Sequence, residues 1–135
     1  MQFSKPLEKT PVLGSLEIAV MRKIWASAEP VDARGVLAAV AQRQITLSTI
    51  QATLERLSRK GLLARSKVGR AYRYRASVTQ SRLIGVLIRD LTQQLAAGEL
   101  EPAIAGFVEL VGDARPELLE RLEAEAAEHR SKERK

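Results

Sequence analysis

The sequence predicts a mainly α-helical fold with one small β-hairpin, and three observations lead to this prediction. Aromatic residues make up only 4% of the 135 residues, while Leu, Ala, Glu and Arg are abundant, a composition that favours packed helices over a β-sandwich. Apolar residues recur at spacings of three and four along most of the chain, as in amphipathic helices. Residues 62–66 and 71–75 instead flank a short loop that contains a glycine, and residues 72–75 alternate between Tyr and Arg, as expected for a β-hairpin.

Composition and motifs exclude several classes of protein. The chain has no cysteine, so disulfide scaffolds, thiolate metal sites and cysteine nucleophiles are impossible. No apolar stretch approaches the roughly 18 residues of a membrane span, and we expect no signal peptide because the first nine residues have no apolar core. The only histidine is His129, and no phosphate loop, nucleophile elbow or metal-ligand spacing occurs. We expect a cytoplasmic protein that is not an enzyme and binds no cofactor or metal.

Charge is distributed unevenly along the chain. Residues 1–89 contain 16 Lys and Arg against five Asp and Glu, whereas residues 90–135 contain six against 11. No acidic residue occurs from Arg56 to Arg89, a segment with ten basic residues. Such a block is expected where a protein binds a polyanion. A basic surface that only keeps the protein soluble is the alternative.

Three helices are predicted in the first half of the chain: residues 15–28, a short helix ending near Gln42, and residues 47–60. Asp32 and Thr46 are suitable N-caps for the second and third helices, and Gly61 is a suitable residue to end the third. Two helices joined by a short turn have the geometry that places the second helix in a DNA major groove. An ordinary helical hairpin is the alternative.

The third helix has one apolar and one small, polar face. Ile50, Leu54 and Leu57 fall within one narrow sector of the helical wheel and predict the buried stripe. Small side chains near the N-terminal end would let this helix approach the floor of a major groove. The residues predicted to read base edges are Ser48, Thr49, Gln51 and Ala52.

Residues 62–66 and 71–75 predict a β-wing around the loop 67–70, in which Gly69 supplies a positive φ. Alternation places Tyr72 and Tyr74 on one face, against the helices, with arginines on the other. Stacking of the tyrosines on bases is a weaker alternative. The residues predicted to hold phosphates are Thr46, Arg56, Arg59, Lys67, Arg70, Arg73 and Arg75.

Three amphipathic helices are predicted after the wing: residues 78–97, one beginning at Pro102 and one beginning at Pro116. Their apolar stripes would need a partner, which favours a dimerisation segment. The residues predicted to form the dimer interface are Leu83, Leu87, Leu91, Leu95, Ile104, Phe107, Val108, Leu118 and Leu122. The predicted organisation is a flexible arm (1–11), a winged helix-turn-helix DNA-binding domain (12–76), the dimerisation segment (77–128) and a charged, frayed tail (129–135).

Five stretches carry a resemblance to a known family: Val20-Met21 with Trp25, Thr49-Ile50 with Arg56-Leu57, Lys60-Gly61-Leu62-Leu63, Gly69-Arg70-Ala71-Tyr72-Arg73-Tyr74 and Phe107-Val108-Glu109. Together they resemble the penicillinase repressors of the BlaI/MecI/CopY type over the chain from Leu13 to about Leu122. The resemblance implies a bacterial winged-helix repressor that binds an inverted-repeat operator in double-stranded DNA as a homodimer.

The resemblance also implies how repression would end. In the beta-lactam branch of the family, a membrane sensor-metallopeptidase triggers cleavage of an Asn-Phe bond in the dimerisation segment. The corresponding pair here is Gly106-Phe107, so either a protease of different specificity acts or induction follows another route. Copper sensing through C-terminal cysteines, the other branch, is impossible without cysteine.

Two non-enzymatic alternatives remain open at this point. A winged-helix adaptor would act through protein contacts alone, since fold does not imply function. The block of ten cations from Arg56 to Arg89, which covers the end of the third helix and the wing, argues against it. A non-specific architectural DNA-binding protein is the other alternative, and the varied polar face of the third helix argues mildly against that.

Overall fold

A computed structural model of the chain describes residues 11–40 and 44–133. The elements in chain order are α1 (Ser15–Ala26), β1 (Val31–Asp32), α2 (Ala33–Ala39), α3 (Leu47–Arg59), β2 (Leu63–Val68), β3 (Ala71–Ala76), α4 (Gln80–Ala96), α5 (Glu101–Ala114) and α6 (Leu118–Glu133). The chain divides into two compact units, and the boundary lies within α4 between Leu87 and Ile88. Residues 1–10 of the predicted arm, the expected helix end near Gln42 with Arg43, and residues 134–135 of the predicted tail lie outside the described residues.

Local sequence accounts for the ends of the helices in the first unit. The Asp32 carboxylate accepts a hydrogen bond from the Gly35 amide at 2.8 Å and caps α2, and the Thr46 hydroxyl accepts one from the Thr49 amide at 3.2 Å and caps α3. These side chains satisfy amides that have no partner within the helix. Gly61, with a φ of +82°, turns the chain out of α3, as predicted.

The core of the first unit is formed where α1, α2, α3 and the sheet meet. Its fully buried members include Val20, Met21, Val36, Ile50, Leu54, Leu57 and Leu62. The predicted stripe of α3 is therefore confirmed. Trp25 lies at the edge of this core, where its indole Nε1 donates a hydrogen bond to the carbonyl oxygen of Val78 at 2.9 Å. An edge position lets the ring bury its apolar part and still satisfy its donor.

The sheet has three antiparallel strands in the order β1-β3-β2. The predicted hairpin is present, but its strands are longer than expected and its loop is reduced to Gly69 and Arg70, with Gly69 at a φ of +65°. The strand β1 was not predicted. Its two residues, Val31 and Asp32, become a strand only by pairing with Tyr74 and Arg73, and such pairing leaves no periodic signal in so short a segment.

The prediction that both wing tyrosines pack on the helices is correct for only one of them. Tyr74 is buried, but Tyr72 is 39% exposed. Both residues lie on the same face of β3, as alternation requires. Tyr72 is two residues nearer the hairpin loop, however, where the sheet extends beyond the helices of the core.

The second unit contains the end of α4 with α5 and α6. A reversal at Ala97 and Gly98, both with positive φ, ends α4, and α5 contacts α6. The expected frayed tail is instead helical as far as Glu133, and Lys132 pairs with Glu128 one turn away at 3.5 Å, a spacing that supports helices. None of the described helices is long and apolar enough to cross a membrane.

Candidate nucleic-acid interface

The outer face of α3 is formed by the residues predicted to read bases. Ser48, Thr49, Gln51 and Ala52 are all exposed, since the buried side of the helix is taken by Ile50, Thr53, Leu54 and Leu57. The Thr49 hydroxyl lies 3.0 Å from the Thr46 hydroxyl, so the two can share a hydrogen bond. The structure thus places a small, polar and solvent-accessible surface at the N-terminal end of α3.

A fully buried threonine fixes one arginine of this helix. The Thr53 hydroxyl donates a hydrogen bond to the carbonyl oxygen of Thr49 at 2.8 Å and accepts one from the guanidinium of Arg56 at 3.2 Å. Arg56 is therefore held against its own helix, with its remaining donors available to solvent. The helical wheel alone did not identify Thr53, because a threonine beside an apolar stripe is usually only a packing residue.

The register of the wing divides its basic residues between two faces. Directly paired residues of antiparallel strands point to the same side, so Arg73 shares a face with Ser66, and Arg75 with Ala64. Lys67 pairs with Tyr72 and lies on the opposite, tyrosine-bearing face. Of the cations predicted to hold phosphates, Arg73 and Arg75 thus form one surface, Lys67 belongs to the other, and Arg70 occupies the loop between them.

One cation of the wing was missed by the sequence analysis. The guanidinium carbon of Arg65 lies 4.2 Å from the centre of the Tyr72 ring, and the Lys67 ammonium lies 5.9 Å from it. A cation over an aromatic face is attracted by the electrons of the ring. The exposed tyrosine therefore holds Arg65 in place on the wing. The strand register identifies this pair, because Arg65 is opposite Tyr74 and therefore lies on the same face of the hairpin as Tyr72.

An ion pair joins α1 to the end of α3. The Lys60 ammonium lies 2.7 Å from the Glu17 carboxylate and also donates to the carbonyl oxygen of Val12 at 2.7 Å. Burial alone would raise the pKa of Glu17, but hydrogen bonds from Lys60 and the Gly14 amide, with the charges of Lys60 and Arg56, outweigh it and hold the pKa below its usual value. Lys60 is thus engaged within the protein and differs from the other cations of the basic block.

The residues predicted to form a dimer interface have two different environments. Leu83 is buried in the core of the first unit, so its side chain is already packed within the monomer. Leu122 is partly buried, and the other seven are between 37% and 79% exposed: Leu87, Leu91, Leu95, Ile104, Phe107, Val108 and Leu118. In the described part of α5 and α6, no residue is buried. The residues Gly106 and Phe107 lie within α5, and both are exposed.

The fold and this surface define a winged helix-turn-helix protein in which the outer face of a capped third helix and the basic residues of a hairpin are both exposed. The penicillinase repressor family model matches residues 13–128. The chain belongs to the penicillinase repressor family.

The sequences of two kinds of named relative agree with this assignment. The transcriptional regulator BlaI of Mycobacterium tuberculosis, from strain CDC 1551 and from strain H37Rv, is 34% identical over 121 residues, which cover 88% of each chain. The penicillinase repressor of Bacillus licheniformis is 28% identical over 87% of this chain and 94% of its own. A solution structure of monomeric Bacillus licheniformis BlaI with the blaP half-operator aligns with 55% of this chain and 90% of that chain, with 29% identity and a TM-score of 0.46.

Proposed function

We propose that this protein is a transcriptional repressor that binds a specific inverted-repeat operator in double-stranded DNA as a homodimer. The observation that carries the proposal is the exposed surface of α3 and the wing, which is polar at the helix and basic on the hairpin. A helix of this kind reads bases in the major groove while cations on a wing hold phosphates. The names of its relatives, a transcriptional regulator and a penicillinase repressor, support the same function.

The proposed roles divide between reading and anchoring. Ser48, Thr49, Gln51 and Ala52 lie nearest the bases, where an amide side chain can pair with adenine and a methyl group can contact thymine. The residues proposed to anchor phosphates are Thr46, Arg56, Arg59, Lys67, Arg70, Arg73 and Arg75, to which the structure's cation–aromatic pair adds Arg65. Thr46 contributes through its position at the helix N-terminus, which favours anions. No catalytic role is proposed.

A second copy of the chain is proposed to cover the apolar face of the second unit. The described part of α5 and α6 has no buried residue, so these helices lack a core of their own. Leu91, Ile104 and Phe107 are exposed, and they would form a core by packing against the same residues of a second copy of the chain. Two linked DNA-binding units then reach two half-sites, and the effective concentration of the second unit raises the affinity of the pair.

Release from the operator is proposed to follow any event that separates the two copies. Cleavage of the bond between Gly106 and Phe107, triggered by a membrane sensor-metallopeptidase, is one such event. The bond lies inside α5, so a protease would require α5 to unfold locally before the backbone could enter its active site. A ligand that opens the same apolar face would act equivalently.

Titration of fluorescent duplex DNA with the protein at several salt concentrations tests the proposed function. We expect the logarithm of the binding constant to fall linearly with the logarithm of the salt concentration, because phosphate contacts release counterions. If each of the seven basic residues proposed as anchors contacts one phosphate, the slope should be about −6 per DNA-binding unit. Absence of binding at low salt would contradict a DNA-binding function.

A further inference from the structure

One acidic residue interrupts the basic half of the chain. Glu55 is the only Asp or Glu between Asp32 and Asp90, a stretch that contains 12 Lys and Arg. Nothing in the fold requires a carboxylate at this position, because the side chain is exposed. None of the ion pairs among the described residues includes it.

Glu55 lies on the same face of α3 as the proposed base-reading residues. It follows Gln51 by one helical turn and precedes Arg59 by one turn, and all three are exposed. Residues four apart on a helix are neighbours along one face. A rise of about 1.5 Å per residue places Glu55 about 6 Å beyond Gln51 along the helix axis, a distance comparable to two base-pair steps of about 3.4 Å each.

A carboxylate on a surface that approaches phosphates is repelled by them. This cost falls on every DNA sequence, whereas a gain occurs only where the carboxylate finds a hydrogen-bond donor. The exocyclic amino group of cytosine is the donor that acidic side chains accept from in the major groove. The four base-reading candidates of α3 are all neutral: Ser48, Thr49, Gln51 and Ala52. A single carboxylate among them therefore weakens binding to sequences without this amino group more than it strengthens binding to a sequence that has it.

We propose that Glu55 is a specificity-determining residue that accepts a hydrogen bond from the amino group of one cytosine in each half-site and repels DNA that lacks it there. This inference rests on the proposed function. It adds a base identity, cytosine, and a mechanism of discrimination that acts chiefly against other sequences.

Selection of binding sites from random duplex DNA tests this with the full-length protein and three variants: Glu55→Ala, Glu55→Gln and Glu123→Ala. Glu123 is exposed in α6, so its variant removes the same charge far along the chain from α3. For wild type and Glu123→Ala we expect one position per half-site to be enriched in cytosine. Glu55→Ala should lose that enrichment, and Glu55→Gln should move it toward adenine, which glutamine recognises.

Affinities for the selected site and for random duplex complete the test. Glu55→Ala should bind random duplex more tightly than wild type, and its ratio of specific to random affinity should fall about 10-fold. Unchanged enrichment and an unchanged ratio in both Glu55 variants would overturn the role of Glu55 while leaving DNA binding intact. If wild type itself binds no duplex, both the inference and the proposed function are overturned.

Discussion

Glu17 and Lys60 form an ion pair of 2.7 Å although 43 residues separate them in the sequence. Glu17 belongs to α1, and Lys60 is the C-cap of α3. The pair therefore joins α1, whose buried side chains form part of the core, to α3, the helix proposed to enter the major groove. Most of the Glu17 side chain is buried, which strengthens the pair relative to one in open solvent.

Acid should weaken the first unit through Glu17. Its pKa is lower in the folded chain than the ordinary value of 4.5, so the ionised carboxylate stabilises the fold above that pH, and the stabilisation is lost as the pH falls through the folded pKa. We expect Glu17→Gln to lower the free energy of unfolding by about 1 kcal/mol at pH 7. Near pH 3 the difference from wild type should be much smaller.

Urea unfolding at both pH values measures this effect. Glu29→Gln is the matched control, because Glu29 is exposed in the same unit and belongs to none of the ion pairs among the described residues. A Glu17→Gln variant as stable as this control at pH 7 would show that the ion pair contributes nothing.

Thr53 should affect DNA binding through Arg56. Thr53→Val keeps the shape of the side chain but removes the hydroxyl that accepts from Arg56, so we expect DNA affinity to fall about three- to ten-fold, the loss of one oriented hydrogen bond. Thr53→Ser restores the hydroxyl and should restore affinity, although loss of a buried methyl group costs about 1 kcal/mol of stability.

We therefore expect Thr53→Ser to bind DNA more tightly than Thr53→Val but to be the less stable of the two variants. Fluorescence anisotropy gives the affinities and urea unfolding the stabilities. If affinity simply follows stability across the variants, Thr53 is a packing residue and does not position Arg56.

The anchoring and reading roles should separate by their dependence on salt and sequence. Arg70→Ala should weaken binding to operator and random duplex alike and reduce the salt slope by about one unit, because one phosphate contact is lost. Gln51→Ala should leave the slope unchanged and relax the preference at one base position. Equal losses on both DNAs for both variants, measured by titration at several salt concentrations, would show that the division is wrong.

Dimerisation should depend on the apolar face of the second unit. Leu91→Asp should produce a monomer, because a charge at the centre of an apolar contact would be buried without a partner. Val68→Asp is a matched control, since Val68 in the wing is 50% exposed and Leu91 is 54% exposed. Sedimentation should show the control as a dimer. A stable dimer from Leu91→Asp would place the interface elsewhere.

Local signals made much of the fold predictable from the sequence. The bounds of α3 follow from Thr46 and Gly61, and the turn of the wing follows from Gly69, because each of these residues determines the backbone around it. The polar face of α3 followed from periodicity. These features depend on neighbours within a few residues.

The features that were missed depend on contacts between distant residues. The strand β1 exists because Val31 meets Tyr74, and Arg65 is oriented because the register brings it over Tyr72. In the sequence, Leu83 belongs to the same apolar stripe as the other leucines of α4, but in the structure it is buried in the core of the first unit. Helical periodicity shows which face is apolar but not which partner covers it.

Selection of sites from random duplex DNA with the wild-type chain tests the central claim most directly. A homodimer with one winged-helix unit per copy should enrich a two-fold symmetric sequence whose half-sites are about 10 or 20 base pairs apart, centre to centre, on one side of the duplex. Enrichment of a single unsymmetric half-site, or of no sequence at all, would contradict a dimeric repressor that reads an inverted repeat.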